Sequence, residues 1–208
     1  MMPPQRMHMT TLELAHSRTP EEIAELVSTV RPAIPSLTSL TFHRRARLVK
    51  PFISHDLSAI ALSFLPAAGE SVASPPPVQP HPREIPHPDM LDDGVEKTDA
   101  YTYHHLRRDV FGMVQGTGVQ IASRYVVPSA HMTLCRFLTQ EDHVTPEQRR
   151  RWIQTIDEIN EWLEREVWDM ADSRFIGEWI VGQERGLDAR SGTLWYGGGR
   201  TILMGEGF

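Results

Sequence analysis

Two histidines in this chain each stand two residues before a threonine, in His8-Met9-Thr10 and His131-Met132-Thr133. Side chains on a strand alternate between faces, so residues i and i+2 share one. Each triplet placed on a strand presents an imidazole and a hydroxyl to the same side. Imidazole titrates near neutrality, so one ring can serve as a base while another serves as an acid. Two hydroxyls beside them can donate to non-bridging phosphate oxygens, where charge builds in a transition state. If the triplets converge, His8, Thr10, His131 and Thr133 are the candidate catalytic residues for work on a phosphodiester.

One triplet means little. Among ten histidines, about one His-x-Thr or His-x-Ser match arises by chance. His143-Val144-Thr145 is an internal control, because Thr145 there reads as a helix cap and His143 as part of the preceding loop. A strand histidine is more often structural than catalytic, and threonine is a common strand former. What separates the first two triplets from the control is their place in a repeat.

In the first half, a strand from Met7 to Leu14 carries the triplet, and Thr19-Pro20-Glu21-Glu22 then opens a helix. Thr19 is the N-cap, Pro20 the first helical residue, and Glu22 completes a capping box. Ile23, Leu26, Val27 and Val30 form one apolar stripe, and Pro32 and Pro35 end the helix. Ala46 to Ile53 and Ser58 to Leu65 follow as a hairpin turning near His55-Asp56-Leu57. In the second half, a strand from His131 to Leu138 carries the triplet, and Thr145-Pro146-Glu147-Gln148 is another capping box. Its helix should run to about Val167 with Ile153, Ile156, Leu163 and Val167 inward. Phe175 to Gly182 and Thr193 to Tyr196 read as a closing hairpin around Gly186-Leu187-Asp188. Strand, capped helix and hairpin recur in the same order, as in a duplication.

Between the halves, the stretch from Ala67 to about Asp99 has no apolar periodicity, and Ser74-Pro75-Pro76-Pro77 makes it a mobile insert. His81 and His87 lie there, each before a proline, with no rigid frame for a metal. A helix over Tyr101 to Val114, with Leu106 and Val110 inward, stops at Gly116 and Gly118. A strand from Val119 to Val127 then leads to the second triplet. The expected organisation is one domain: lobe one over about 1–66, the insert over about 67–99, and lobe two over about 100–208.

Composition narrows the classes. A formal charge of −6 leaves no basic coat for general nucleic-acid binding, so any such contact must be a local groove. Arg44, Arg45, Arg47 and Lys50 form the densest basic run, either an RNA-facing edge or a solvated strand face. The lone Cys135 builds neither an internal disulfide nor a thiolate cage, and a reducing compartment, cytoplasm or nucleus, is expected. No apolar run reaches membrane-spanning length, and no His-x-His, His-Glu-x-x-His or carboxylate cluster invites a metal. No cofactor and no obligate protein partner is expected.

Met7-His8-Met9-Thr10-Thr11-Leu12 and Ala130-His131-Met132-Thr133-Leu134 resemble the paired motif of the 2H phosphoesterase superfamily, His-x-Thr flanked by apolar residues. Its members include 2′-5′ RNA ligase-like proteins and cyclic phosphodiesterases, and the chain looks most like the fungal RNA ligase/cyclic nucleotide phosphodiesterase-like proteins. The resemblance covers most of the chain outside the insert. It implies an α+β fold with two lobes related by a pseudo-twofold axis, each an antiparallel sheet backed by helices around a central cleft. It also implies His8 and His131 as the acid–base pair, Thr10 and Thr133 as phosphate-oxygen donors, and activity without a metal. Members act on RNA ends, on 2′,3′-cyclic phosphates or on cyclic ADP-ribose phosphates, or reversibly join RNA through 2′-5′ links.

Arg124, Tyr125 and Arg136 flank the second triplet as candidates for phosphate or base contact, and Trp195 and Tyr196 could stack a nucleobase. A surface arginine or a core aromatic is the plainer reading of each. The second half has a helix and a strand before its triplet, whereas seven residues precede His8. By the repeat, a strand and a helix belong before residue 1, and an N-terminal truncation is expected. Two rivals to an enzyme follow: an RNA- or nucleotide-binding module of the same fold without turnover, and a regulatory domain whose histidines only pack.

Overall fold

Thr19 opens the first helix as its side chain predicts. Its hydroxyl accepts from the Glu22 amide at 3.3 Å, and the Glu22 carboxylate accepts from the Thr19 amide at 2.8 Å, satisfying two otherwise orphan donors. The computed structural model describes residues 1–68, 99–122, 129–168, 177–194 and 198–208. Helix α1 spans Pro20–Val30. It ends ahead of Pro32, as expected, and the chain continues in short helical turns. A 3-10 turn over Arg31–Ala33 is followed by α2 (Ile34–Thr38) and α3 (Leu40–His43), with each proline in a first turn where no N–H is needed.

The expected central hairpin forms from β1 (Arg47–His55) and β2 (Ala59–Pro66). Asp56 closes its turn by accepting from the amides of Ser58 and Ala59, each at 2.7 Å. Pro51 has no N–H for the ladder, and Lys50 before it sits at φ 53°, so the register shifts between Val49 and Phe52. Helix α4 (Tyr103–Gln115) comes next, then β3 (Ala130–Arg136), α5 (Pro146–Glu166), β4 (Trp179–Ile180), β5 (Arg185–Ser191) and β6 (Arg200–Glu206). Thr145 and Gln148 reproduce the capping box of α1 at the start of α5.

All neighbours in the main sheet are antiparallel, in the order β3-β2-β1-β4. The core lies on one of its faces. Leu48, Phe64 and Ala130 from the sheet meet Tyr103, Leu106, Val110 and Val114 from α4 and Val30, Ile34 and Leu37 from α1 and α2. Burying each large aliphatic side chain contributes about 1.5–3 kcal/mol. Arg47 is buried at the start of β1, 8% exposed, and holds Asp99 through two bonds of 3.0 and 2.6 Å and Glu178 through one of 2.9 Å. It thereby ties the residues ahead of α4 and β4 to the sheet. Helix α5 lies along the β1 edge, where the Asn160 amide accepts from Ile53 N–H at 2.6 Å and donates to Ile53 C=O at 3.0 Å.

The protein is α+β, with an antiparallel sheet and packed helices. Several sequence expectations differ from it. The second-half strands β3 and β4 flank the first-half hairpin in one sheet, so the strands are not sorted into one sheet per half. Gly186, Leu187 and Asp188 lie inside β5 instead of forming a turn, and the partner strand is β6, beyond the expected 193–196. Gly186 and Gly205 face the Thr38 carbonyl so closely that a Cβ on either would collide with it. These glycines permit close approach, a use of glycine that resembles a turn signal in sequence. Ile153 is 41% exposed, and Trp152 takes its inward place on α5 beside Ile156. Residues 119–122 form no strand. The rest of that expected strand (123–127), nearly all of the insert with His81 and His87, and residues 175–176 and 195–196 of the expected closing hairpin lie outside the described residues. Among the described residues, no helix is long and apolar enough to cross a membrane.

Candidate active site

β3 carries the second triplet within a regular ladder. His131 pairs with Ser63, Met132 with Leu62, and Thr133 with Ala61. Met132 packs against the core, so the alternation puts His131 and Thr133 on the opposite face of the sheet. Both are partly exposed. Ser63, directly across from His131, is fully buried and shares a 2.6 Å hydroxyl contact with Ser54.

The first triplet lies along the other edge of β3, although not as the expected strand from Met7 to Leu14. It makes a single antiparallel bridge, Met9 to Met132. Met2 N–H bonds the Leu134 carbonyl at 2.6 Å, and side chains of α4 bond the carbonyls of Thr10 and Thr11. That one bridge sets the register. Continued by one residue each way, it places His8 opposite Thr133 and Thr10 opposite His131. Met9, like Met132, packs against the core, which leaves both His-x-Thr pairs on the outer face. The two histidines are then diagonal neighbours, and such positions stand about 7–8 Å apart, within reach of long side chains.

The two rings are held alike. His8 Nδ1 lies 2.9 Å from the Arg6 carbonyl, and His131 Nδ1 lies 3.2 Å from the Ser129 carbonyl. A carbonyl only accepts, so each Nδ1 is the donor and carries the proton. In the neutral ring Nε2 then has the lone pair of a base; in the charged ring it is an acid. The Ser129 hydroxyl is also 3.3 Å from His131 Nδ1, and His8 is the more exposed of the two rings.

The control triplet behaves as its sequence suggests. His143 is 2% exposed, stacks on Trp152 with ring centroids 5.6 Å apart, and donates from Nε2 to the Leu57 carbonyl at 3.2 Å. Thr145 caps α5. The basic run is divided: Arg44 and Arg45 are exposed, whereas Arg47 is buried. Arg44 pairs with Asp109 at 2.6 Å, Arg45 lies 4.1 Å over the Phe208 ring, and Arg47 is buried between two carboxylates. Burial alone would raise the Asp109 carboxyl, but bonds from Arg108, Tyr101 and Arg44 outweigh it and hold the group below its ordinary range.

Arg136 is exposed at the end of β3, opposite Ala59. Arg124, Tyr125, Trp195 and Tyr196 lie outside the described residues. Sequence reasoning passed over Ser129, although it shares the strand spacing of His131, and over Tyr103 and Arg107, which bond the first triplet's segment from α4. It also passed over Asn160, whose signal was a polar residue among the inward positions of α5. Among the described residues, no group of three or more His, Cys, Asp or Glu side chains is placed to hold a metal ion. No protein-family model matches the chain, and comparison with curated proteins and with solved structures gives no match.

Proposed function

We propose that the protein is a phosphodiesterase that opens 2′,3′-cyclic phosphates, or related RNA and nucleotide phosphodiesters, by two-histidine acid–base catalysis without a metal. The observation that carries this reading is the Met9–Met132 bridge, with its consequence that the His-x-Thr pairs share a sheet face. The matched Nδ1 bonds support it, because they equip both rings for either role. Two histidines related in this way suit a reaction that takes a proton on one side of phosphorus and gives one on the other.

In the proposed reaction, one histidine removes a proton from water as its oxygen forms a bond to phosphorus. The other protonates the departing ribose oxygen as the phosphorus–oxygen bond breaks, leaving a phosphomonoester. Thr10 and Thr133 donate to the non-bridging oxygens. The same ring opening, with an RNA 5′-hydroxyl in place of water and the 3′ oxygen departing, is 2′-5′ ligation, and its reverse cleaves that link to a cyclic phosphate. We read the two halves as a duplication forming two lobes about a cleft, each half contributing one His-x-Thr triplet. RNA ends and small cyclic nucleotide phosphates are the substrate class.

The test is to incubate the protein with 2′,3′-cyclic nucleotides, ADP-ribose cyclic phosphate and a 2′-5′-linked dinucleotide, in excess chelator. Cleavage of any of these supports the reading. Binding without cleavage would select a nucleotide-binding module, and neither binding nor cleavage would leave the histidines as packing residues.

A further inference from the structure

The two triplets reach their places by different means. His131 and Thr133 belong to a strand paired on one side by the full β2 ladder. His8 and Thr10 have one bridge. A strand that slips by one residue turns every side chain to the other face, so a single bridge is a weak guarantee of which face His8 and Thr10 occupy. Two side chains of α4 supply what the ladder does not. The Tyr103 hydroxyl donates to the Thr10 carbonyl at 2.9 Å, and Arg107 Nε donates to the Thr11 carbonyl at 3.1 Å.

We infer that Tyr103 and Arg107 are positioning residues, which fix the first triplet against β3 and so set where His8 and Thr10 stand. The inference rests on the function proposed above. Residues four apart share one face of a helix, and Tyr103 and Arg107 grip consecutive carbonyls immediately past the bridge. Tyr103 is a rigid post: its ring is 1% exposed within the core, and the neighbouring Thr102 and His105 close the first turn of α4. Both bonds satisfy backbone carbonyls that no strand ladder takes. A helix on the core side of the sheet therefore controls the alignment of groups on its outer side.

Tyr103→Phe keeps the packed ring and removes one donor. Displacing a reacting group by as little as 1 Å costs up to about a hundredfold in rate, and partial loosening should lower kcat on 2′,3′-cyclic AMP by about tenfold. KM and the melting temperature should change little. Arg107→Gln should act in the same direction, with Arg107→Lys restoring part of the loss. Ring proton signals in NMR give a readout that needs no turnover: those of His8 should move and those of His131 should hold. Unchanged kcat together with an unmoved His8 signal in both Tyr103→Phe and Arg107→Gln would overturn the inference. If Tyr103→Phe does not fold, Arg107→Gln decides. If the wild-type protein cleaves nothing, the proposed reaction fails, and the two histidine signals still decide the positioning.

Discussion

His8 and His131 meet the backbone in the same way: each imidazole donates from Nδ1 to the carbonyl two residues upstream, Arg6 at 2.9 Å and Ser129 at 3.2 Å. Both rings are thereby set in one tautomer. The chemistry then falls to the two Nε2 atoms, and a variant that keeps the Nδ1 donor while losing Nε2 separates catalysis from folding.

Asparagine is such a variant, because its amide nitrogen can reach the position of Nδ1. His8→Asn and His131→Asn should each melt close to the wild-type temperature and lose at least about a hundredfold in kcat. Steady-state turnover of 2′,3′-cyclic AMP beside a thermal melt checks both statements. Near-normal turnover in either variant would remove the two-histidine reaction.

Valine matches threonine in shape without its hydroxyl. Thr10→Val and Thr133→Val should each lower kcat on the order of a hundredfold, the size seen when one preorganised donor to a developing oxyanion is lost. Serine at the same positions should recover most of the rate. Turnover in Thr133→Val equal to that of wild type would take the hydroxyl out of the phosphate site.

Arg47 gathers Asp99 and Glu178 in a nearly closed site. Its hydrogen bonds to Asp99, with the added charge of Glu178, hold the guanidinium proton more tightly than usual against the cost of burial. Arg47→Met strands two carboxylates and should destabilise the protein by about 3–5 kcal/mol. Replacing all three residues with apolar ones should restore much of that loss. Urea unfolding of the single and triple variants makes the comparison.

Burial, aided by the bond it donates to Asp109, pushes the Tyr101 phenol up to about 12. The folded value lies above the ordinary one near 10. The resulting stabilisation is present in full below that ordinary value and is lost as pH rises toward the folded one. Absorbance at the phenolate band should show a late-ionising step from Tyr101 in the folded protein. Tyr101→Phe should remove that step and flatten the alkaline fall in stability. A Tyr101 that ionises with ordinary tyrosines would contradict the packing of that corner.

Local rules were legible along the chain. Thr19 and Thr145 announce their capping boxes because the partner residues lie within three positions, and Asp56 announces the hairpin turn for the same reason. The apolar stripes of α1 and α4 identify their buried sides, since helical period and burial are linked residue by residue. The His-x-Thr triplets could be singled out because strand period places their side chains together. Long-range pairing was not legible. Nothing near Met9 says that Met132 is its partner, because register across distant segments depends on every other strand and helix competing for the same edge. Gly186 reads as a turn until the Thr38 carbonyl is seen against it. Arg47 reads as a surface cation until Asp99 and Glu178 close around it. The types of chemical group and the short elements that carry them follow from neighbours in the chain. Which groups face one another depends on contacts between residues far apart in sequence, whose energies no local pattern records.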